Sequence, residues 1–262
     1  MKLHLCLPLV LLAGPALAAG MDSPVMEPAP VMPVAQPAPR LSWDGFYAGA
    51  QLGGAFDDET GVLSLEAAPS APPAAAFGDN FYGAFDSGFS GGVHVGYDRQ
   101  FGGFVLGGIA DISALDVTET QGGDSATPAF YREVRSLDYY ATLRGRVGVP
   151  VFERGLFYVH GGLAYGDVDY RFDTNTPATV TTSGDGDGET GYVVGAGMET
   201  MLTDSFSFGV EYQYVNLGES DFNTTLSGPG APGGPFGAGV DAFGSEDDFD
   251  FHVIQARVSY RF

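Results

Sequence analysis

Between Gly45 and the C-terminal Phe262, apolar and polar side chains alternate in eight segments of about ten residues each. In the eighth segment the apolar residues are Ile254, Ala256, Val258, Tyr260 and Phe262, and the intervening ones are Gln255, Arg257, Ser259 and Arg261. A period of two is typical of a strand with one apolar face, and about ten residues allow a tilted strand to cross a bilayer. The pattern therefore predicts an all-β fold, an eight-stranded antiparallel transmembrane β-barrel.

The alternation also assigns each side chain to the lipid or to the lumen. In the fourth segment the predicted outward residues are Leu137, Tyr139, Ala141, Leu143 and Val147, and the inward ones are Asp138, Tyr140, Thr142, Arg144 and Arg146. A soluble β-sandwich is the alternative, but it would bury its apolar faces and expose polar ones. Here the polar faces are rich in glycine, as in a crowded lumen, and aromatic residues lie near the strand ends, as in membrane girdles.

The connections between the segments alternate in length. Short turns are predicted at 99–102, 149–155 and 202–205, and long, acidic loops at about 56–87, 114–135, 167–190 and 217–249. This asymmetry is typical of bacterial outer-membrane barrels, in which an even number of strands places both chain ends on the short-turn, periplasmic side.

Composition excludes several other classes. Charged residues make up 17% of the chain, and its 40 glycines disfavour long helices, so helical bundles and coiled coils are excluded. Lys and Arg together number 11 against 33 Asp and Glu, which gives a net charge of −22. Because a polyanion would be repelled by this charge, no nucleic-acid partner is expected.

The N-terminus predicts export. Residues 1–18 have the features of a signal peptide: Lys2, an apolar stretch, and a cleavage motif that ends at Ala18. Residues 19–42 are rich in Pro and Ala and predict an extended periplasmic spacer, which leaves 43–262 for the barrel. The one cysteine, Cys6, lies in the signal peptide, so the exported chain is expected to have no disulfide and no thiolate metal site.

Four motifs resemble the small "porin family", or opacity-type, outer-membrane barrel proteins. The segment 43–49 (WDGFYAG) is similar to that family's opening strand, and 143–148 (LRGRVG), 195–199 (GAGME) and 211–214 (EYQY) resemble later strands. The family's third strand usually has an acidic residue two positions before Asp111, where this chain has Ile109. The ending, with Tyr260 and Phe262, resembles the signal read by the barrel assembly machinery, which the resemblance implies as a partner during biogenesis.

Charged residues on the inward faces are the candidate functional residues. Counted from the periplasmic ends of their strands, Arg144, Arg146 and Arg257 lie at nearly the same depth as Glu199 and Glu211. Together with Asp111 they form the predicted lumen charge network. An eight-stranded barrel is just wide enough for side chains to fill it. A closed plug is therefore favoured over an ion-selective constriction.

Other candidate residues give weaker evidence for a functional site. His94 and His160 face inward, but they lack a third nearby ligand, so packed polar groups are expected rather than a metal site. Residues 184–190 match a calcium loop poorly and predict a solvated acidic loop. His252 lies near the outer rim without a serine beside it, so no catalytic site and no cofactor are expected.

Taken together, these observations predict an outer-membrane barrel with a structural or surface-interaction role and no enzymatic activity. A narrow passive porin for small solutes or ions is the alternative. The expected partners are outer-membrane lipids and lipopolysaccharide, with a host or cell-surface partner left open. Closure of the barrel requires the eighth strand to pair with the first, because an open sheet edge in lipid leaves backbone groups unsatisfied.

Overall fold

Backbone hydrogen bonding closes the alternating segments into a barrel. The computed structural model describes residues 41–57, 61, 63–66, 78–125, 129–184, 188–218, 222–227, 241–245 and 248–262. The predicted signal peptide and nearly all of the predicted spacer lie outside these residues, so their assignments stay predictions. Among the described residues, no helix is long and apolar enough to cross a membrane.

The described residues form thirteen strands. Their bounds are β1 Gly45–Phe56, β2 Leu63–Glu66, β3 Phe81–Asp86, β4 Gly88–Phe101, β5 Phe104–Ser125, β6 Ala129–Val151, β7 Gly155–Thr174, β8 Thr179–Ser183, β9 Glu189–Met201, β10 Phe206–Asn216, β11 Asn223–Ser227, β12 Asp241–Ser245 and β13 Asp250–Arg261. Eight of them, β1, β4, β5, β6, β7, β9, β10 and β13, form the antiparallel barrel, which the pairing of β13 with β1 closes. The short strand β3 adds a ninth strand to this sheet, because it pairs with the outer part of β5. The predicted eight-stranded barrel and the pairing of its last strand with its first are confirmed.

Side-chain exposure follows the predicted alternation. Along β10, Val210 is 49% exposed and Tyr212 is 41% exposed, whereas Glu211 and Gln213 between them are fully buried. The outward apolar band is bounded by aromatic side chains on both sides. Towards the short turns these are Phe46, Tyr97, Phe157, Phe206 and Tyr260, and on the opposite side they are Phe56, Tyr165, Tyr192 and Tyr212. The polar face therefore lies inside the barrel, as expected for a membrane-spanning sheet.

The prediction of long loops at 114–135 and 167–190 is wrong for most of their length. Strands β5 and β6 continue well past the apolar band and stay paired out to Ser125 and Ala129, and β7 continues with them to Thr174. Outside the bilayer the outward face no longer needs apolar residues, so the sequence alternation weakens although the hydrogen-bonded ladder continues. The first, third and fourth long connections also contain short strands.

The outward assignment of Leu137 is also wrong. The pairing of β6 with β7 shifts between Leu137 and Tyr140, and the pairing of β5 with β6 shifts between Ala114 and Val117. A β-bulge inserts an extra residue and so reverses the faces beyond it. As a result Leu137 is fully buried in the lumen and Asp138 is exposed.

A second sheet lies at the outer end of the barrel, where its strands occupy the long connections after β1, β7 and β10. Its strands run in the order β2, β12, β11, β8, all antiparallel. Its buried residues Leu63, Leu226 and Phe243 pack with Tyr131 of β6 and Phe172 of β7. We call this sheet, with its cluster of five side chains, the outer cap.

Candidate functional site

Two neighbouring inward positions on β6 place the central arginines. Arg144 is paired with Gly162 of β7, and Arg146 with Gly107 of β5. Because these glycines have no side chain, each guanidinium has room to extend across the lumen. Both arginines are about 2% exposed, and burial at this level requires every charge to be matched.

Glu211 of β10 is the main acceptor of the network. Its Oε1 accepts from Arg144 Nη1 at 2.8 Å, and its Oε2 accepts from Arg257 Nη1 at 2.6 Å. Three further donors reach the same carboxylate: Tyr158 Oη at 2.6 Å, Gln213 Nε2 at 2.8 Å and Gln255 Nε2 at 3.0 Å. Five donors hold Glu211 in one position and satisfy its charge.

Asp111 of β5 completes this upper tier. Arg144 Nη2 forms an ion pair with Asp111 Oδ2, and Thr142 Oγ1 donates to the same oxygen at 2.7 Å. Arg144 therefore bridges two carboxylates on opposite walls of the barrel. Ile109, where the resembled family usually has an acid, is buried on the same inward face.

A second tier lies closer to the short turns and centres on Arg146. Its Nε donates to Asp98 Oδ1 at 2.8 Å, its Nη2 pairs with Asp98 Oδ2, and its Nη1 donates to Glu199 Oε2 at 3.1 Å. Arg261 Nη2 also donates to Asp98, at 2.9 Å. Arg146 lies between the rings of Tyr47 and Tyr158, 4.8 and 4.9 Å from their centroids.

The structure thus brings the predicted residues into two tiers rather than one layer. Arg144, Arg257, Asp111 and Glu211 form the upper tier, and Arg146 and Glu199 belong to the lower one. Sequence reasoning missed Asp98 and Arg261 as members. A signal for both was present, since alternation already placed them on the inward face. With them, four arginines face four carboxylates.

The two inward histidines contact polar side chains in the charged part of the lumen. His94 contacts Gln51 Oε1 through Nδ1 and Ser259 Oγ through Nε2, each at 2.9 Å. His160 lies 3.2 Å from Arg144 Nη1 and 3.8 Å from Glu211 Oε2. Among the described residues no three His, Cys, Asp or Glu side chains are grouped to hold a metal ion. Residues 185–187 of the predicted acidic loop lie outside the description.

Buried apolar side chains form a cluster on each side of the charged tiers. Towards the short turns, Leu41 packs on a cluster formed by Trp43, Val105, Leu156, Tyr158 and Met201. Towards the outer mouth lies a larger cluster, which we call the upper apolar layer: Ala55, Leu115, Val117, Leu137, Tyr140, Ala164, Val168, Val193, Val215, Leu217, Phe249, Phe251 and Val253. Both clusters consist of side chains that are 4% exposed or less.

A family model described as "Outer membrane protein beta-barrel domain" matches residues 29–262. The chain belongs to this family. A 31 kDa outer-membrane immunogenic protein of Brucella melitensis is 26% identical over 251 residues, which are 93% of this chain and 94% of the relative. A 22 kDa outer membrane protein of Rhizobium leguminosarum is 29% identical over 185 residues, which are 71% and 69% of the two chains. The crystal structure of OprG from Pseudomonas aeruginosa has a TM-score of 0.47 at 15% identity and covers 84% of this chain and 96% of its own.

As a member of this outer-membrane barrel family, the protein is located in the cell outer membrane. Its two predicted assembly residues lie at the short-turn end. Tyr260 packs against Phe206 with ring centroids 5.0 Å apart, and Phe262 is 77% exposed. The Phe262 N–H donates to the Phe46 carbonyl at 3.0 Å, which extends the closing pair of strands to the last residue. Their role in assembly stays a prediction.

His252 belongs to the outer aromatic girdle. Its ring stacks on Phe56 with centroids 5.6 Å apart, and its Nδ1 lies 2.7 Å from Tyr212 Oη. Its cross-strand partners are Phe56 and Tyr214. Aromatic and amphipathic rings at this level are typical of a membrane interface.

Proposed function

We propose that this outer-membrane barrel has a closed lumen and acts through its outer surface, in a structural or surface-interaction role. The observation that carries the proposal is the continuous filling of the lumen, in which two ion-paired tiers lie between two apolar clusters. A conducting path needs a wetted lining, because an ion entering an apolar constriction would lose its hydration. The neutral pairing of four arginines with four carboxylates suits a plug better than a selectivity filter.

The outer part of the molecule supports a role at the cell surface. Strands β5, β6 and β7 extend beyond the outer aromatic girdle and carry the outer cap, and β8 has all five side chains exposed. The Brucella relative is named an immunogenic protein. Immunogenicity of that relative is consistent with exposure of this outer region to the exterior.

The alternative, a narrow passive porin, makes a different prediction in planar bilayers. We expect purified wild-type protein, inserted into planar lipid bilayers, to give negligible single-channel conductance in a neutral salt solution. A large general porin in the same setup serves as the positive control, and the Glu211→Gln variant tests the constriction. Steady conductance of the wild type, together with a shift towards anion selectivity in a folded Glu211→Gln barrel, would establish the porin instead.

A further inference from the structure

A third polar layer lies above the upper apolar layer, outside the membrane-spanning part of the barrel. It consists of Glu119 and Gln121 on β5 and Glu133 and Arg135 on β6, each 4% exposed or less. Glu119 is paired with Arg135 and Gln121 with Glu133 across the two strands. Side chains directly opposite one another in an antiparallel pair lie within about 5 Å at Cβ. These four residues therefore form one contiguous inward patch.

The donors of this patch are directed to Glu119. Arg135 Nη2 donates to Glu119 Oε2 at 2.7 Å, and Gln121 Nε2 donates to Glu119 Oε1 at 3.0 Å. In the part of the chain that the structure describes, both oxygens of Glu133 and the Oε1 of Gln121 have no hydrogen-bond partner. Three buried acceptors on two cross-strand neighbours are thus left without a donor. An unmatched buried carboxylate is costly, so this arrangement requires a positively charged or proton-donating ligand.

Glu133 is 1% exposed, and aromatic side chains that contact the outer cap lie beside it. Phe172 is the cross-strand partner of Glu133 on β7, and Tyr131 lies two residues away on the same face. Phe243 of β12 stacks on Tyr131 with centroids 5.3 Å apart and contacts the ring of Phe172 at 5.5 Å. Ionisation of Glu133 is therefore expected to weaken the packing between the cap and the barrel.

Burial favours the neutral form of Glu133, and the two charged groups beside it act in opposite directions. Burial raises the pKa of Glu133 to about 7; the nearby Glu119 carboxylate acts in the same direction and Arg135 opposes it. Among the described side chains of the cluster beside it, Leu63, Phe172, Leu226 and Phe243 do not titrate, and Tyr131 carries the one titratable group. Burial raises the pKa of Asp250, at the start of β13, and the Glu119 carboxylate acts on Asp250 in the same direction.

A proton fits this site better than a metal ion does. Calcium takes six to eight oxygen ligands, whereas three unpaired oxygens are present here beside the guanidinium of Arg135. A proton on Glu133 turns one acceptor into a donor that can bond Gln121 Oε1. We propose that Glu133 and Gln121 form a buried proton-binding site that holds the outer cap on the barrel and releases it as the pH rises.

The sign follows from the difference between closed and open cap. Below pH 4.5, the ordinary pKa of the group, Glu133 is protonated whether the cap is closed or open, so it does not destabilise the closed cap. As the pH rises from there towards about 7, Glu133 ionises more readily in the open state, and the closed cap loses stability. Above pH 7 the closed cap has lost all of the stability that the raised pKa of Glu133 contributes. If Glu133 regains its ordinary pKa when the cap opens, the opening equilibrium increases about 30-fold between pH 5.5 and pH 8.5.

Hydrogen exchange of the full mature chain in lipid nanodiscs tests the site. We expect the protection of β11 and β12, corrected for the intrinsic exchange rate, to fall by roughly this factor between the two pH values. Glu133→Gln keeps a donor for Gln121 Oε1 without a charge, so the cap of this variant is expected to stay protected at both pH values. Glu153→Gln, at an exposed carboxylate on a short turn, is the matched control and should follow the wild type.

Two outcomes would overturn the proton site. One is a pH-independent wild-type cap, or a Glu133→Gln cap that still loosens at pH 8.5. The other is restoration of wild-type protection at pH 8.5 by millimolar calcium and its loss with a chelator, which would identify a metal site. The barrel strands β10 and β13 should stay protected throughout and report that each variant is folded.

Discussion

At the residue scale, the lumen depends most on Glu211. Two arginines, one tyrosine and two glutamines donate to this one carboxylate. Counting residues along each strand was enough to predict that Glu211 meets arginines, because depth in a barrel follows position in the strand. The same count could not assign partners: Arg146 pairs with Asp98 and Glu199 rather than with Glu211. Partner choice depends on the stagger between strands, which the sequence of a single strand does not contain.

Replacing Glu211 by Gln is expected to destabilise the barrel. The variant leaves Arg144 and Arg257 with a neutral acceptor inside the membrane, and breaking a buried pair costs roughly 3 to 5 kcal/mol where solvent cannot reach it. The measurement is the free energy of unfolding in denaturant, with the protein folded in lipid vesicles. The control is Glu153→Gln, at an exposed carboxylate on a short turn. Equal stability of the two variants would show that water already screens the upper tier.

At the element scale, the inward glycines have a packing role. The ring of Tyr158, on β7, lies across Gly197 of β9, where a Cβ atom would meet Tyr158 Cζ at 2.5 Å. Tyr158 in turn stacks on Arg146 and donates to Glu211. The glycine-rich face predicted a crowded lumen, and the rings explain the crowding. What the sequence did not show were the bulges in β5 and β6, because the residues on either side still alternate and only the pairing shifts.

The substitution Gly197→Ala should therefore disturb both tiers through Tyr158. Overpacking of this kind costs about 1 to 3 kcal/mol. Gly145→Ala is a matched control, since a Cβ at Gly145 of β6 would meet no atom within 4 Å. We expect the denaturation midpoint to fall for the first variant and to stay level or rise slightly for the second, where alanine restricts the unfolded chain. A Gly197→Ala barrel as stable as the control would mean that the tyrosine ring moves freely.

At the scale of the whole molecule, the protein has two parts, one whose outward face contacts lipid and an outer one whose outward face contacts water. The lipid-facing part matches the predicted strands, because a bilayer imposes one apolar face on every strand. The outer part was predicted as loops and instead contains extended strands and a four-stranded cap. No bilayer acts there, so outward residues such as Asp167 and Asp169 are polar, and the sequence does not alternate between apolar and polar residues. The resemblance to a known family fixed the architecture of the first part and said nothing of the second.

The orientation of these two parts can be tested in cells by single-cysteine labelling. The chain has one cysteine, Cys6, in the predicted signal peptide, so Thr181→Cys and Phe152→Cys each introduce one thiol into the exported protein. Thr181 is exposed on β8 of the outer sheet, and Phe152 is 95% exposed on the turn between β6 and β7. We expect a membrane-impermeant maleimide to label Thr181→Cys on intact cells and Phe152→Cys only after the outer membrane is permeabilised. Labelling in the opposite order would place the cap in the periplasm and remove the basis for a role at the cell surface.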